Sequence, residues 1–170
     1  MKATELRELQ APLKERYRAT PEASLVTLRA QGQLGAEGLT CKVETGRALV
    51  EAGLHTATGG DGLSVCSGDM LLEALVACAG VTLRAVATAL DIELRGGTVN
   101  AEGDLDFRGT LGVSREAPVG FRDIRLRFDL DTDASPDKVE SLIKLTERYC
   151  VVYQTLRTPA ALALSVHTAP

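Results

Sequence analysis

The four cysteines of this 170-residue chain are the residues with the most distinctive chemistry. They are Cys41, Cys66, Cys78 and Cys150. None is spaced as in a C-x-x-C motif and none has a histidine beside it, which argues against a zinc site. In a reducing compartment such cysteines are free thiols or redox catalysts more often than structural disulfides. The sequence therefore favours thiol chemistry, which needs neither a metal nor a dissociable cofactor.

Cys78 and Cys150 are both predicted to project from the apolar face of a helix. The first helix is expected from Asp69 to about residue 90, with Ser67 as its N-cap, and a helical wheel places Cys78 near the middle of its buried face. The second begins at Ser135–Pro136, and its apolar positions lead to Cys150. Two interpretations stay open, because a buried cysteine can be only a small apolar side chain, whereas two inward-facing cysteines can form a redox pair.

A buried Cys78 thiol would need help to ionise, because apolar surroundings raise the pKa of a thiol. A neighbouring cation or a run of backbone donors would supply that help. Arg29 and Arg47 are the candidate cations, held by Asp69 or Glu73, although a solvated charge on a strand or turn is the simpler interpretation of each arginine.

The other candidates have simple structural interpretations. Cys41 is predicted to face the core from a strand. Cys66 precedes the long helix, where a thiolate would be favoured, but it has no partner in the sequence around it. Asp69 suits the first turn of a helix, and Glu73 needs a partner if it is buried.

The elements that must position these residues follow the order α-βββ-α-ββ-α-β. Residues 3–18 form an amphipathic helix that Pro12 is expected to break or bend, and a Gly-rich loop occupies 56–67. Alternating apolar and polar residues predict six strands, over residues 25–34, 39–43, 48–55, 98–107, 121–130 and 162–166. We expect one α+β domain over residues 1–170, in which 1–20 form a helical segment and antiparallel sheets wrap around a long buried helix.

Composition and charge exclude several classes of function. The chain has 19 Lys and Arg against 23 Asp and Glu, with only 4% aromatic residues, so neither nucleic acid nor an anionic membrane surface is an expected partner. The longest apolar run is the ten residues 74–83, whereas a membrane span needs about 20. The charged N-terminus lacks the apolar core of a signal peptide, which predicts a cytoplasmic protein.

Two stretches and the order of elements resemble the OsmC and organic-hydroperoxide-resistance superfamily. The first stretch joins the loop Gly59-Gly60-Asp61-Gly62 to the helix segment LLEALVAC, which ends at Cys78. The second is RYCVVYQTL, residues 148–156. Asp69 matches an acidic position of the family, whereas Val151 stands where the family has proline, and the turn at 35–38 lacks the family's hairpin arginine.

This resemblance implies an intertwined homodimer in which the two helical cysteines lie near the subunit interface. It also implies a thiol-dependent peroxidase of oxidative-stress defence, which prefers organic hydroperoxides to hydrogen peroxide. Cys78 would attack the peroxide, Cys150 would close a disulfide with it, and an external dithiol would reduce that disulfide. The alternative is a non-enzymatic dimer of the same fold that is stress-associated or binds a small ligand.

Overall fold

The computed structural model describes residues 3–34, 41–43, 52–63 and 65–167. The described helices are α1 (Ala3–Ala19), α2 (Ser67–Ala89), α3 (Phe107–Thr110), α4 (Pro136–Tyr149) and α5 (Val151–Arg157). The described strands are β1 (Leu25–Leu34), β2 (Cys41–Val43), β3 (Ala52–Gly53), β4 (Val65–Cys66), β5 (Gly96–Asp106) and β6 (Asp123–Asp131). The predicted α+β class is therefore confirmed in its mixture of helices with an antiparallel sheet.

Four antiparallel strands form the main sheet, in the order β2-β1-β5-β6. In the register of the two long pairs, Leu25 of β1 lies opposite Asp106 of β5, and Gly96 of β5 lies opposite Asp131 of β6. The alternation that predicted β6 separates its two faces as expected, since inward residues such as Leu126 are half-buried and the charged residues between them are exposed. The short pair β3–β4 differs from the expected antiparallel pattern, because it is parallel.

Helix α2 supplies the largest share of the core among the described elements and packs against β1, β5, α4 and α5. Its buried residues are Leu72, Leu75, Val76, Ala79, Gly80, Leu83, Val86 and Ala87. The N-cap is Cys66, one residue before the expected cap Ser67, and its Sγ accepts the Gly68 N–H at 3.4 Å. Asp69 lies in the first turn, where its negative charge suits the helix dipole.

One described helix, α2, is long and apolar enough to cross a membrane by length and composition, with a mean hydropathy of 1.8 over an 18-residue window. No such segment was predicted from the sequence, because the longest uninterrupted apolar run has only ten residues. The contacts of α2 with the main sheet and with α4 are those of a core helix, which passes the same test of composition.

A buried ion pair ties the end of β5 to the start of β1. The Asp106 side chain is 2% exposed and receives three guanidinium hydrogen bonds from Arg108, with Nη2 at 2.6 Å from Oδ2 and Nε at 3.0 Å from Oδ1 and 3.2 Å from Oδ2. The buried hydroxyl of Ser24 donates to the same carboxylate at 2.6 Å. These bonds hold the pKa of Asp106 far below its usual range, chiefly through Arg108.

Helix α1 continues through Pro12 to Ala19, so the helix does not break there. Two expectations about the strands are wrong. Of the third predicted strand, the described part forms only the two residues Ala52–Gly53, and its remainder over 48–51 lies outside the described residues. The last predicted strand is absent, since residues 159–167 have no regular structure and the side chains of Leu162 and Leu164 are almost fully exposed.

Candidate active site

The chain bends at Cys150, and this bend creates the site. Cys150 is the C-cap of α4 and the N-cap of α5, with an extended backbone at φ −72° and ψ 108°. The first backbone bond inside α5 runs from the Gln154 N–H to the Cys150 carbonyl at 2.9 Å. The N–H groups of the three residues before Gln154 therefore have no partner within their own helix. They donate instead to the sulfur atoms of Cys78 and Cys150.

Four neutral donors surround the Cys78 sulfur. They are the backbone N–H groups of Val152 and Val151, the Cys150 thiol and the Thr82 hydroxyl. Burial alone would raise the pKa of the Cys78 thiol, but these four hydrogen bonds outweigh burial and lower its pKa below the ordinary value. Of the two kinds of help expected for this thiolate, the described residues supply the run of backbone donors.

The pKa of Cys150 moves in the opposite direction. This pKa is raised to about 11, chiefly by burial, and the hydrogen bond to Cys78 and the charge on that sulfur contribute to the rise. The side chain of Cys150 is 1% exposed, whereas Cys78 is half-buried. Cys78 is therefore a half-buried thiol with a lowered pKa, and Cys150 is a buried thiol with a raised pKa that donates to it.

Cys78 does not lie at the middle of the buried face of α2, as the helical wheel had predicted. It lies between the buried stripe and a stripe that contains Met70, Ala74 and Val81. Those three residues are exposed, with 37% of Met70 and 40% of Val81 accessible, as is Leu71 at 38%. The apolar face that was expected to be buried is thus uncovered in the single chain.

The two candidate carboxylates lie on α2 before the thiol, Asp69 by nine residues and Glu73 by five, or about two and a half and one and a half turns. Burial raises the pKa of Asp69, and the nearby His55 partly offsets that rise. Burial also raises the pKa of Glu73, and repulsion by Asp69 adds to it. His55 is half-buried and stacks on Phe107 with 5.0 Å between ring centroids.

Several sequence candidates cannot be assigned to this site. Arg47 lies outside the described residues, and Arg29 occupies a backbone position opposite Glu102 in the β1–β5 register, while its side chain lies outside the described part. Cys41 begins β2, and its side chain is likewise outside that part. Cys66 is a half-buried free thiol at the N-cap of α2, 12 positions before Cys78.

Gly60 shapes the loop that leads to α2, where its conformation leaves no space for a side chain. A Cβ atom at this position would lie 1.8 Å from the Leu54 carbonyl oxygen. Two backbone hydrogen bonds hold the loop in this conformation. The Thr58 N–H and the Gly60 N–H both donate to the His55 carbonyl oxygen, at 2.8 and 3.1 Å. The Gly-rich motif therefore brings His55 to the beginning of α2 beside Asp69.

A cavity of about 460 Å³ lies between α2, β6, α4 and α5. Leu75, one turn before Cys78, and Tyr153, one turn after Cys150, are among its lining residues, but neither cysteine lines it. Its walls also include the charged residues Arg122 and Arg157. The volume is within the range of pockets that hold small organic molecules, roughly 300–1,000 Å³.

No group of three or more His, Cys, Asp and Glu side chains within the described ranges is arranged to hold a metal ion. The chemistry that the arrangement offers is that of two thiols with separated pKa values. A low-pKa thiol beside a high-pKa thiol suits nucleophilic attack by the first and later capture by the second.

Comparison with known proteins identifies the family. The model of the family described as OsmC-like protein matches residues 59–165, which is more than half of the chain and includes both Cys78 and Cys150. The chain belongs to the OsmC-like family. The expected resemblance is therefore confirmed.

Two solved structures are similar in fold. An OsmC-like hydroperoxide resistance protein from Jannaschia sp. CCS1 superposes with a TM-score of 0.61 at 14% identity, over 85% of this chain and 95% of the other. An OsmC-like protein from Mycoplasma pneumoniae superposes with a TM-score of 0.54 at 16% identity, over 79% of this chain and 86% of the other. No curated protein matches the sequence.

Proposed function

We propose that this OsmC-like protein is a thiol-dependent peroxidase that reduces organic hydroperoxides with Cys78 and Cys150. The observation that carries the proposal is the hydrogen bond from the Cys150 thiol to the Cys78 sulfur, with the two pKa values displaced in opposite directions. A thiol that only filled the core would have a raised pKa, because burial by itself raises the pKa of a thiol.

In the first step the Cys78 thiolate attacks the terminal oxygen of the hydroperoxide. A sulfur–oxygen bond forms and the O–O bond breaks, so that sulfur is oxidised to a sulfenic acid and the peroxide is reduced. The leaving alkoxide takes a proton and departs as an alcohol. The backbone donors around Cys78 stabilise the thiolate before attack, and the half-buried position leaves the sulfur accessible.

In the second step Cys150 attacks the sulfenic sulfur of Cys78. A disulfide forms, the sulfur–oxygen bond breaks, and hydroxide leaves as water with the proton given up by the Cys150 thiol. An external dithiol then reduces the disulfide by exchange, which restores both thiols and oxidises the dithiol. The high pKa of Cys150 keeps this residue protonated until the sulfenic acid has formed.

The cavity lined by Leu75 and Tyr153 supports an organic substrate. Its walls include Leu126, Phe128 and Ile143, which would exclude water from an alkyl or aryl group. Hydrogen peroxide would gain nothing from these contacts. We therefore expect an organic hydroperoxide to react faster than hydrogen peroxide at equal concentration.

The working form is proposed to be a homodimer, in the cytoplasm. The exposed apolar stripe of α2, with Met70 and Val81, supports a second copy at this face, because a soluble helix rarely leaves such a stripe uncovered. Cys78 lies at the border of that stripe, so the partner would help to enclose the reacting sulfur.

Mass spectrometry after one equivalent of cumene hydroperoxide tests the peroxidase. We expect the mass of two hydrogens to be lost and peptide mapping to find a Cys78–Cys150 disulfide. Cys66→Ser is the matched control, since it removes another half-buried free thiol and should leave the product unchanged. Thiols that stay reduced while the peroxide persists would contradict the proposal and support the non-enzymatic, ligand-binding alternative.

A further inference from the structure

Two cavities meet at Phe121. The first is the cavity of about 460 Å³ that Leu75 and Tyr153 line, and the second is a cavity of about 380 Å³ near the beginning of α2. Among the residues that the structure describes, Phe121 is the one that lines both cavities. Its side chain therefore forms a wall between them.

The second cavity has apolar walls that continue beyond Phe121. Leu71, Leu105 and Phe107 are among its lining residues. Cys66, a half-buried free thiol, also lines this cavity and does not line the first. Apolar walls on both sides of Phe121 would remove an alkyl chain from water on either side.

Phe121 packs directly on the backbone of β5 at Gly103. A Cβ atom at position 103 would lie 2.6 Å from Cδ1 of Phe121 and closer still to Cε1, so the ring occupies the space that a side chain would need. The Arg122 N–H donates to the Asp104 carbonyl at 2.8 Å, which fixes the backbone next to Phe121. The inward residues of β5 around this glycine are buried side chains, namely Val99, Ala101 and Leu105.

We propose that Phe121, held on Gly103, sets the length of the ligand that the first cavity accepts. With the phenyl ring in place the cavity ends at Phe121 and accommodates a compact aryl or branched alkyl group. Without the ring the two cavities would form one channel of nearly twice the volume, which would admit an extended alkyl chain. The inference rests on the proposed function for the ligand being an organic hydroperoxide, and it adds which organic groups that hydroperoxide carries.

Phe121→Ala removes the wall, and Phe128→Ala is the matched control. Phe128 lines the first cavity and is not part of the second lining, so the same truncation there enlarges one cavity without joining the two. Phe121→Leu keeps an apolar contact with Gly103 and should give a smaller effect in the same direction. It replaces the alanine variant if that variant does not fold.

Isothermal titration calorimetry with two alcohols measures the accepted length. Cumyl alcohol is the product of cumene hydroperoxide, and decanol has an extended chain longer than a roughly spherical cavity of the first volume is wide. We expect Phe121→Ala to tighten decanol binding about tenfold relative to cumyl alcohol, which corresponds to burying roughly two more methylene groups. Phe128→Ala should change both affinities by similar factors. An unchanged ratio in folded Phe121→Ala, or an equal change of the ratio in Phe128→Ala, would overturn the inference.

Cys66 reports whether the chain enters the second cavity. Alkylation of Cys66 by iodoacetamide at a fixed pH, followed by mass spectrometry of its peptide, should be slowed by decanol in Phe121→Ala and not in the wild type or in Phe128→Ala. A general loosening of the protein would instead speed alkylation with and without the alcohol. Equal slowing in the wild type would overturn the inference, because the chain would then reach Cys66 with the wall in place.

The failure of this inference and the failure of the proposed peroxidase give different results, because neither alcohol oxidises a thiol. Alcohol binding and Cys66 protection as expected, without peroxide consumption, would refute the peroxidase and leave Phe121 as the wall of a ligand site. In an active peroxidase, Phe121→Ala should lower the KM for decyl hydroperoxide about tenfold and leave kcat unchanged. An unchanged KM would overturn the role of Phe121 and leave the peroxidase in place.

Discussion

Thr82 lies one helical turn beyond Cys78 on α2 and donates its hydroxyl to the Cys78 sulfur. The two residues share a face because positions i and i+4 of a helix are neighbours. Thr82 therefore stabilises the thiolate from the same helix that carries it, in addition to the backbone donors of α5.

Thr82→Val should make Cys78 a weaker nucleophile at neutral pH. The change keeps the shape of the side chain but removes the hydroxyl donor, so we expect the pKa of Cys78 to rise by about half a unit to one unit. The pH profile of the first-turnover rate with cumene hydroperoxide would move upward by the same amount. Thr82→Ser retains the donor and should behave as the wild type, and equal profiles for valine and serine would contradict this role.

The two cysteines should fail in different ways when each is replaced by serine. Cys78→Ser removes the attacking sulfur, and we expect no peroxide consumption at all. Cys150→Ser keeps a hydroxyl that can still donate to Cys78, so the first turnover should proceed and then stop at the sulfenic acid or a more oxidised form. Stopped-flow measurement of alcohol release separates the two, and equal loss of the first turnover in both variants would refute the assigned roles.

A charge on the exposed stripe of α2 should dissociate the proposed dimer. Val81 is 40% exposed on this stripe, and an aspartate there would have to be buried against the second copy. Sedimentation velocity of the wild type should give twice the 18.0 kDa chain mass, and Val81→Asp should shift the protein toward that chain mass. Val119→Asp is the matched control on an exposed loop, and a wild-type monomer at micromolar concentration would contradict the dimer.

Sequence periodicity predicted those elements whose burial is decided within one chain. The strand Leu25–Leu34 and the helix start at Ser135–Pro136 were predicted correctly, because alternation and a proline at the first helical position are local signals. The same alternation at Leu162 and Leu164 predicted a strand that is absent from the single chain. Alternation indicates which face a strand would bury, but it does not supply the neighbouring strand.

Of the groups in the candidate site, the sequence predicted only the pairing of Cys78 with Cys150. Helix α2 is apolar on two opposite faces, so the wheel could not tell that Leu72 faces the core and Met70 does not. The donors to Cys78 were not predictable either, because Val151 and Val152 donate through the backbone and leave no mark in residue type. These donors depend on the bend at Cys150. The bend could not be predicted, because no proline or glycine lies next to Cys150 in the sequence.

The ion pair of Asp106 and Arg108 should make the stability of the fold depend on pH in the acid range. The pKa of Asp106 lies far below the value of about 3.9 that a free aspartate has. A carboxyl group whose pKa is lowered in the folded state stabilises it above the unfolded pKa, and this contribution is lost as the pH falls further toward the folded pKa. The free energy of unfolding should therefore fall below about pH 4.

Asp106→Asn tests this contribution at neutral pH. The amide cannot balance the guanidinium charge of Arg108, whose side chain is 26% exposed, and it accepts the Ser24 hydroxyl less strongly. We expect the free energy of unfolding in urea to fall by about 2 kcal/mol at pH 7 and its decline below pH 4 to flatten. Asp133→Asn is the control, since it breaks an ion pair with Arg95 in which Asp133 is 87% exposed, and exposed pairs contribute less than about 1 kcal/mol. Equal losses in the two variants would show that burial gives the Asp106 pair no special weight, because solvent screening would then act on both alike.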